Sequence, residues 1–230
     1  MTVEPLRSDA PPKLVSTLFV QRGSVGCHVG ILRRADEGST FRLLHQAWHY
    51  ETLDQTLDAY LDSGEPVWWV QPGLDDDESA DLRTHAALVA TRLTAGAIPY
   101  AFAARDASFA RDGTLNLGES IGLTCATFVT RVFDSARIKL IREATWDTGR
   151  TAARAEEDTK AQETLVEYLK KSGDPERTRH GQRVGGEVGC TRVRAEEVAA
   201  SVSFNDRPVE FARAERAGAA LLARVSTDVS

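Results

Sequence analysis

The stretch that most constrains this chain is Gly122-Leu123-Thr124-Cys125-Ala126-Thr127-Phe128-Val129-Thr130-Arg131-Val132-Phe133. Gly118 and Gly122 precede it as loop chemistry. From there Cys125, Phe128, Val129, Val132 and Phe133 recur at the spacing of one helical face. Thr124 is placed to cap this helix, so the Cys125 thiol falls in the first turn of a deeply buried element. The partial positive charge of a helix N-terminus favours an anion there. It can lower a thiol pKa below its free value of about 8.5. The competing reading is a small cysteine on a core face, a common use of the residue.

Upstream, residues 13–21 are rich in Val, Leu, Phe and Thr and predict a first strand, followed by a turn at Arg22-Gly23-Ser24. Cys27 to Arg33 predicts a second strand and Phe41 to Trp48 a third, joined through a hairpin loop at Asp36-Glu37-Gly38-Ser39. Period-two alternation puts His28, Gly30 and Leu32 on one face and Cys27, Val29 and Ile31 on the other, which argues against a Cys27/His28 pair. Leu53, Leu57, Tyr60 and Leu61 suggest a short helix, and Val67 to Val70 a fourth strand stopped by Pro72-Gly73. The acidic run Asp75 to Glu78 suits a helix N-terminus better than a cation site. The helix it opens carries Leu82, Ala86, Val89 and Leu93 on one face and ends at Gly96. Residues 98–120 form a long irregular segment, a feature that often carries function.

Beyond Trp146 the composition shifts. Arg150 to Lys171 is charged with a thin apolar stripe and predicts a surface helix broken by Gly173-Asp174-Pro175. Arg177 to Gly186 reads as a basic mobile loop, Val188 to Val193 as a fifth strand, and Glu196 to Ala200 as a short helix. Pro208 suits the first turn of a last helix with Phe211, Ala214, Leu221 and Leu222 on its face. No internal repeat occurs.

A length of 230 residues suits one domain with an elaboration, and 42% apolar residues supply a real core. A net charge of −6 argues against nucleic-acid binding by bulk charge. No segment approaches the ~18 consecutive apolar residues of a membrane helix. Residues 1–12 are polar with three prolines and no signal-peptide pattern, so they are expected to be a disordered lead-in to a domain spanning 13–230. Three scattered cysteines make neither a disulfide framework nor a zinc site, which points to reduced thiols and a cytoplasmic setting, with no metal or organic cofactor.

Two further stretches bear on Cys125. Cys27-His28-Val29-Gly30-Ile31 followed by Leu43-Leu44-His45-Gln46-Ala47 resembles the paired strands of the NlpC/P60 superfamily of papain-like cysteine hydrolases. There a His-Val-Gly-Ile strand carries the base and a polar residue on the next strand orients it. Pro99-Tyr100-Ala101-Phe102 and Leu123 to Val129 are similar to that family's Pro-Tyr-x-Trp segment and Cys-Ser-x-Phe-Val nucleophile helix. The cysteine helix follows the histidine strands here. That is the order of the circularly permuted branch, which includes the lecithin:retinol acyltransferase-like enzymes. The resemblance covers about residues 13–142. Residues 143–230 match nothing and stand as a mostly helical elaboration. Thr124, Ala126 and Ala103-Ala104 depart from the family's Asp, Ser and Gly-Gly, which weighs against a peptidoglycan substrate.

The resemblance implies an α+β fold with a small, mostly antiparallel sheet of about five strands packed on the nucleophile helix. It implies a cysteine peptidase, amidase or acyl-transfer enzyme acting on a small-molecule, peptide or acyl substrate. Cys125 would be the nucleophile, His28 the base and His45 its orienter. Tyr100 is equally a shaper of the oxyanion region and an amphipathic core aromatic. Trp68 and Trp69 are expected in the core, Cys27 and Cys190 as structural thiols, and His49, His85 and His180 without a role. A binding module on the same fold, or a toxin or effector payload, would share these residues.

Overall fold

The β-branched and aromatic runs of the N-terminal half pair into one antiparallel sheet. In this computed structural model residues 3–5, 14–22, 26–62, 64, 66–93, 98–104, 106–146 and 150–227 are described. The sheet comprises β1 (Val3–Pro5), β2 (Val15–Arg22), β3 (Gly26–Arg33), β4 (Arg42–Trp48), β5 (Glu51–Thr56) and β6 (Trp68–Val70), in the order β1-β6-β2-β3-β4-β5. The β2–β3 hairpin is in register along its whole length, from Val15↔Arg33 to Arg22↔Gly26. By contrast, β3 and β4 pair only at Ile31↔Leu44, Leu32↔Leu43 and Arg33↔Arg42. Towards Gly26 on one strand and Trp48 on the other the ladder stops, and the sheet is split there.

Alternation divides the apolar side chains between two clusters. Phe19, Val29, Ile31, Leu44, Trp68 and Val70 belong to the main core with Phe128, Val129, Val132 and Phe133 of α3 (Cys125–Ser135). On the other face Leu18, Val20, Leu32 and Leu43 are covered by Leu57 and Tyr60 of α1 (Leu57–Leu61). The long helix α2 (Asp76–Arg92) adds Leu82, Ala86 and Val89 to the main core. Its acidic start is a capping box: Asp75 Oδ1 accepts the Glu78 N–H at 2.8 Å, as the charge pattern suggested.

Several expectations are corrected. Val3–Pro5, within the expected disordered lead-in, pairs with β6. Residues 51–56 are a strand, so the helix after them is only Leu57–Leu61. The irregular segment holds a two-stranded ribbon, β7 (Ser108–Phe109) with β8 (Leu115–Asn116). The expected stops at Gly96 and Gly23-Ser24 lie outside the described residues. The long helix α4 (Ala152–Lys170) is as expected, but the basic "loop" after it is a helix, α5 (Pro175–Gly185). Asp174 caps it and Pro175 sits at its start, while His180, Gly181 and Val184 are buried. Residues 188–193 are not a strand, because the Gln162 side chain takes their backbone groups: its Nε2 donates to Cys190 O at 3.0 Å and its Oε1 accepts from Gly189 N at 2.7 Å. Then come α6 (Ala195–Val202) and α7 (Phe211–Thr227). The last helix starts three residues after Pro208, because Val209 exchanges backbone hydrogen bonds with Leu140 and Arg142 at 2.8 Å each. Val198, Ala199, Val202, Phe211, Ala214, Leu221 and Val225 join the same core as α3, so the C-terminal helices complete the core rather than decorate it.

Candidate active site

The sheet brings His28 and His45 together. They lie on the same face, with Gly30 between them, and His28 Nε2 is 2.7 Å from His45 Nδ1. Both rings are buried, and they meet edge-on at a centroid distance of 4.9 Å. The glycine is needed for this. A Cβ at position 30 would lie 2.9 Å from His45 Cβ and 2.8 Å from Leu43 Cδ1, closer than packed side chains allow. Tyr60 stands edge-on to the His45 ring at 5.5 Å, and Gln55 Nε2 is 3.4 Å from His45 Nε2. His45 is therefore held on both sides.

Cys125 packs with Val29 and Ile31 on the other face of the sheet and lines the same cavity as His28. Thr124 is the N-cap of α3, and it trades bonds with Thr127: Thr127 N–H to Thr124 Oγ1 at 3.1 Å, Thr124 N–H to Thr127 Oγ1 at 2.8 Å. This fixes the thiol in the first turn, as the sequence pattern requires. Strand alternation turns Val29 and Ile31 towards α3 and His28 away from it, and the split between β3 and β4 is where the two sides communicate. The Val29 N–H acts on the Cys125 thiol, and Cys27, His28, Ala47, Trp48 and Cys125 all line one cavity at the split, about 370 Å³ in volume.

The helix N-terminus favours a thiolate at this position, and burial opposes it. Burial pushes the Cys125 thiol above its ordinary value, more strongly than the backbone N–H groups of Val29 and Ala126 and the Arg192 charge pull it down. Burial, with the Glu196 carboxylate next in effect, takes neighbouring Cys27 to about 12.

Tyr100 lines the same cavity and packs against Trp48 at a centroid distance of 5.1 Å. Burial raises its phenol well above the ordinary range, so it stays a neutral donor. Its backbone is clamped by two histidines that the sequence left without a role. The Tyr100 N–H donates to His49 Nδ1 at 3.2 Å, and His180 Nε2–H donates to Tyr100 O at 2.8 Å. The two imidazoles stack at 4.5 Å. Glu187 continues the clamp, accepting the N–H groups of Phe102 and Ala103 at 2.8 and 3.1 Å. Gly122 lets this segment close on α3, since a Cβ there would meet Pro99 O at 2.2 Å. No signal in the sequence pointed to these contacts, because each partner acts on the backbone of a distant segment.

The remaining wall comes from residues 143–230. Ala161, Thr164, Leu165 and Tyr168 of α4 face the aromatic side chains, and Arg192 completes the lining. Trp68 and Trp69 are buried in the sheet as expected, and Cys27 and Cys190 are half-buried. His85 lies on α2 and takes no part in the cavity. Among the described residues no group of three or more His, Cys, Asp or Glu side chains could hold a metal ion, and no helix is long and apolar enough to cross a membrane. Compared with protein-family models, curated proteins and solved structures, the chain matches none of them.

Proposed function

We propose that this chain is a cysteine-dependent hydrolase or acyl-transfer enzyme of the permuted papain-like type. Cys125 is its nucleophile, His28 its base and His45 the residue that orients the base. The observation that carries the reading is that His28, hydrogen-bonded to buried His45, lines one cavity with a helix-N-terminal thiol.

Burial disfavours the Cys125 thiolate, so activation falls to His28 at the moment of attack. His28 takes the thiol proton as Sγ adds to a carbonyl carbon, then gives that proton to the leaving group as the tetrahedral adduct collapses to a thioester. Water, or another acceptor, then releases the acyl group with His28 again as base. A hydrogen bond through Nε2 to His45 Nδ1 sets the ring's orientation and leaves Nδ1 as the nitrogen for the proton transfer. The Cys125 N–H, in the first turn of α3, has no intrahelical acceptor and is a donor for the oxyanion. Amides, isopeptides, esters and thioesters all react this way.

Alkylation followed by peptide mapping tests the assignment. Iodoacetamide should label Cys125 faster than Cys27 or Cys190 at neutral pH, and His28→Ala should slow Cys125 alone by about 10²-fold, the usual share of a general base. Cys125→Ser should abolish turnover while the melting temperature holds. Equal labelling of the three thiols, unaffected by His28→Ala, would leave a binding module on this fold.

A further inference from the structure

The lining of the cavity is uneven in one respect. Trp48, Tyr100, Phe102, Leu165 and Tyr168 make it aromatic and aliphatic, and among the described lining residues Arg192 is the one side chain with a permanent charge. Arg192 belongs to a charged cluster, but the cluster's anions are committed to its neighbours. Asp158 is held by Arg194 Nε at 2.8 Å and Arg150 Nη1 at 3.0 Å, and the nearest Arg192 nitrogen stands 4.0 Å away. Glu197 is held by Arg150 at 3.2 Å. Glu196, the other charge near the thiols, is buried, lies 3.9 Å from Arg194 and does not line the cavity. The Arg192 side chain, 27% exposed, makes no side-chain hydrogen bond with another described residue. Its charge reaches Cys27, Tyr100 and Cys125 alike.

Building on the cysteine-enzyme reading, we propose that Arg192 is a specificity-determining residue that binds a carboxylate on an otherwise apolar substrate, beside the carbonyl that Cys125 attacks. A guanidinium fork matches a carboxylate with two parallel N–H···O bonds. One cation in an apolar cavity balances one negative charge. A phosphate dianion would bring a second charge that nothing in the lining answers. Burial of the apolar remainder against the aromatic wall then supplies affinity, and the ion pair supplies register.

The test uses the full-length chain and two alkylating reagents that differ in one charge, iodoacetate and iodoacetamide, with N-acetylcysteine as the reference thiol. The ratio of iodoacetate to iodoacetamide rates at Cys125 should exceed the reference ratio by about tenfold or more, the lower end of electrostatic focusing in a cleft. Arg192→Gln should bring the ratio back to the reference, and Arg192→Lys should retain part of the preference. A wild-type ratio at or below the reference, or a preference that survives Arg192→Gln in a variant that melts like the wild type, overturns the assignment. Rapid labelling by both reagents without preference removes only the carboxylate site. If neither reagent labels Cys125 in the native chain, the cysteine-enzyme reading falls as well.

Discussion

His49 shows how a single side chain can matter here without touching substrate. Burial, with His180 and Arg177 next, lowers its pKa to about 4, and Asp174 opposes them only weakly. Its Nδ1 must therefore stay unprotonated to accept the Tyr100 N–H. The unfolded chain would titrate at this position near 6.5. Between about pH 6.5 and 4 the unfolded state binds the extra proton, so stability falls as pH drops through that window and levels off below it. At pH 5 the loss from this group is about 2 kcal/mol. Urea midpoints at pH 7 and pH 5 check this, and in His49→Asn, whose amide oxygen can replace Nδ1, the difference should shrink by that amount. At this scale the sequence was legible where a residue sits inside a local motif. His28, Cys125 and the capping Thr124 could be placed that way. His49 and His180 could not, because their partner, the Tyr100 backbone, lies 51 and 80 residues away along the chain.

Among the elements, the β3–β4 pair determines whether the histidines meet. Alternation put His28 and Gly30 on one face and the family resemblance added His45, but the early end of the ladder, which opens the cavity, leaves no trace in hydrophobic pattern. Gly30→Ala tests the arrangement. The added methyl must push against Leu43 and His45 at 2.8 and 2.9 Å, so the expected result is a destabilisation of about 1–3 kcal/mol, the usual overpacking range. Under the proposed mechanism turnover should fall further than stability explains, because His45, the proposed orienter of His28, is the ring displaced. A folded Gly30→Ala protein with full turnover would mean that His45 is dispensable. The elements misread from sequence have a common cause. Asp174-Pro175 is a helix start as well as a helix break, and the charged face that made α5 look like a loop conceals buried His180, Gly181 and Val184.

At the scale of the molecule, the two halves of the chain divide the work. Residues up to Arg142 carry the motif residues Cys125, His28, His45 and Tyr100, whereas α4 and Arg192 supply the opposite wall of the cavity. The division is not one of folding. Ala199 and Val202 of α6 and Phe211, Ala214, Leu221 and Val225 of α7 are buried in the same core as Phe128 and Val132. Trp146 Nε1–H donates to buried Glu197 Oε2 at 3.1 Å, tying the segment just after Arg142 to α6. A chain ending at Arg142 would expose that side of the core to water, and each large aliphatic or aromatic side chain left uncovered costs about 1.5–3 kcal/mol. Against a total stability of about 5–15 kcal/mol, a few such losses suffice to unfold the domain. Residues 1–142 alone should therefore show no cooperative thermal transition. Tyr168→Ala in the full chain should do the reverse. Its side chain is 56% exposed and touches Trp48 at a centroid distance of 5.6 Å, so its loss should leave the melting temperature nearly unchanged and raise KM for an apolar substrate with little change in kcat. If the 1–142 fragment instead melted cooperatively and turned over substrate as the full chain does, residues 143–230 would be an appendage, and the cavity wall they build would have no part in catalysis.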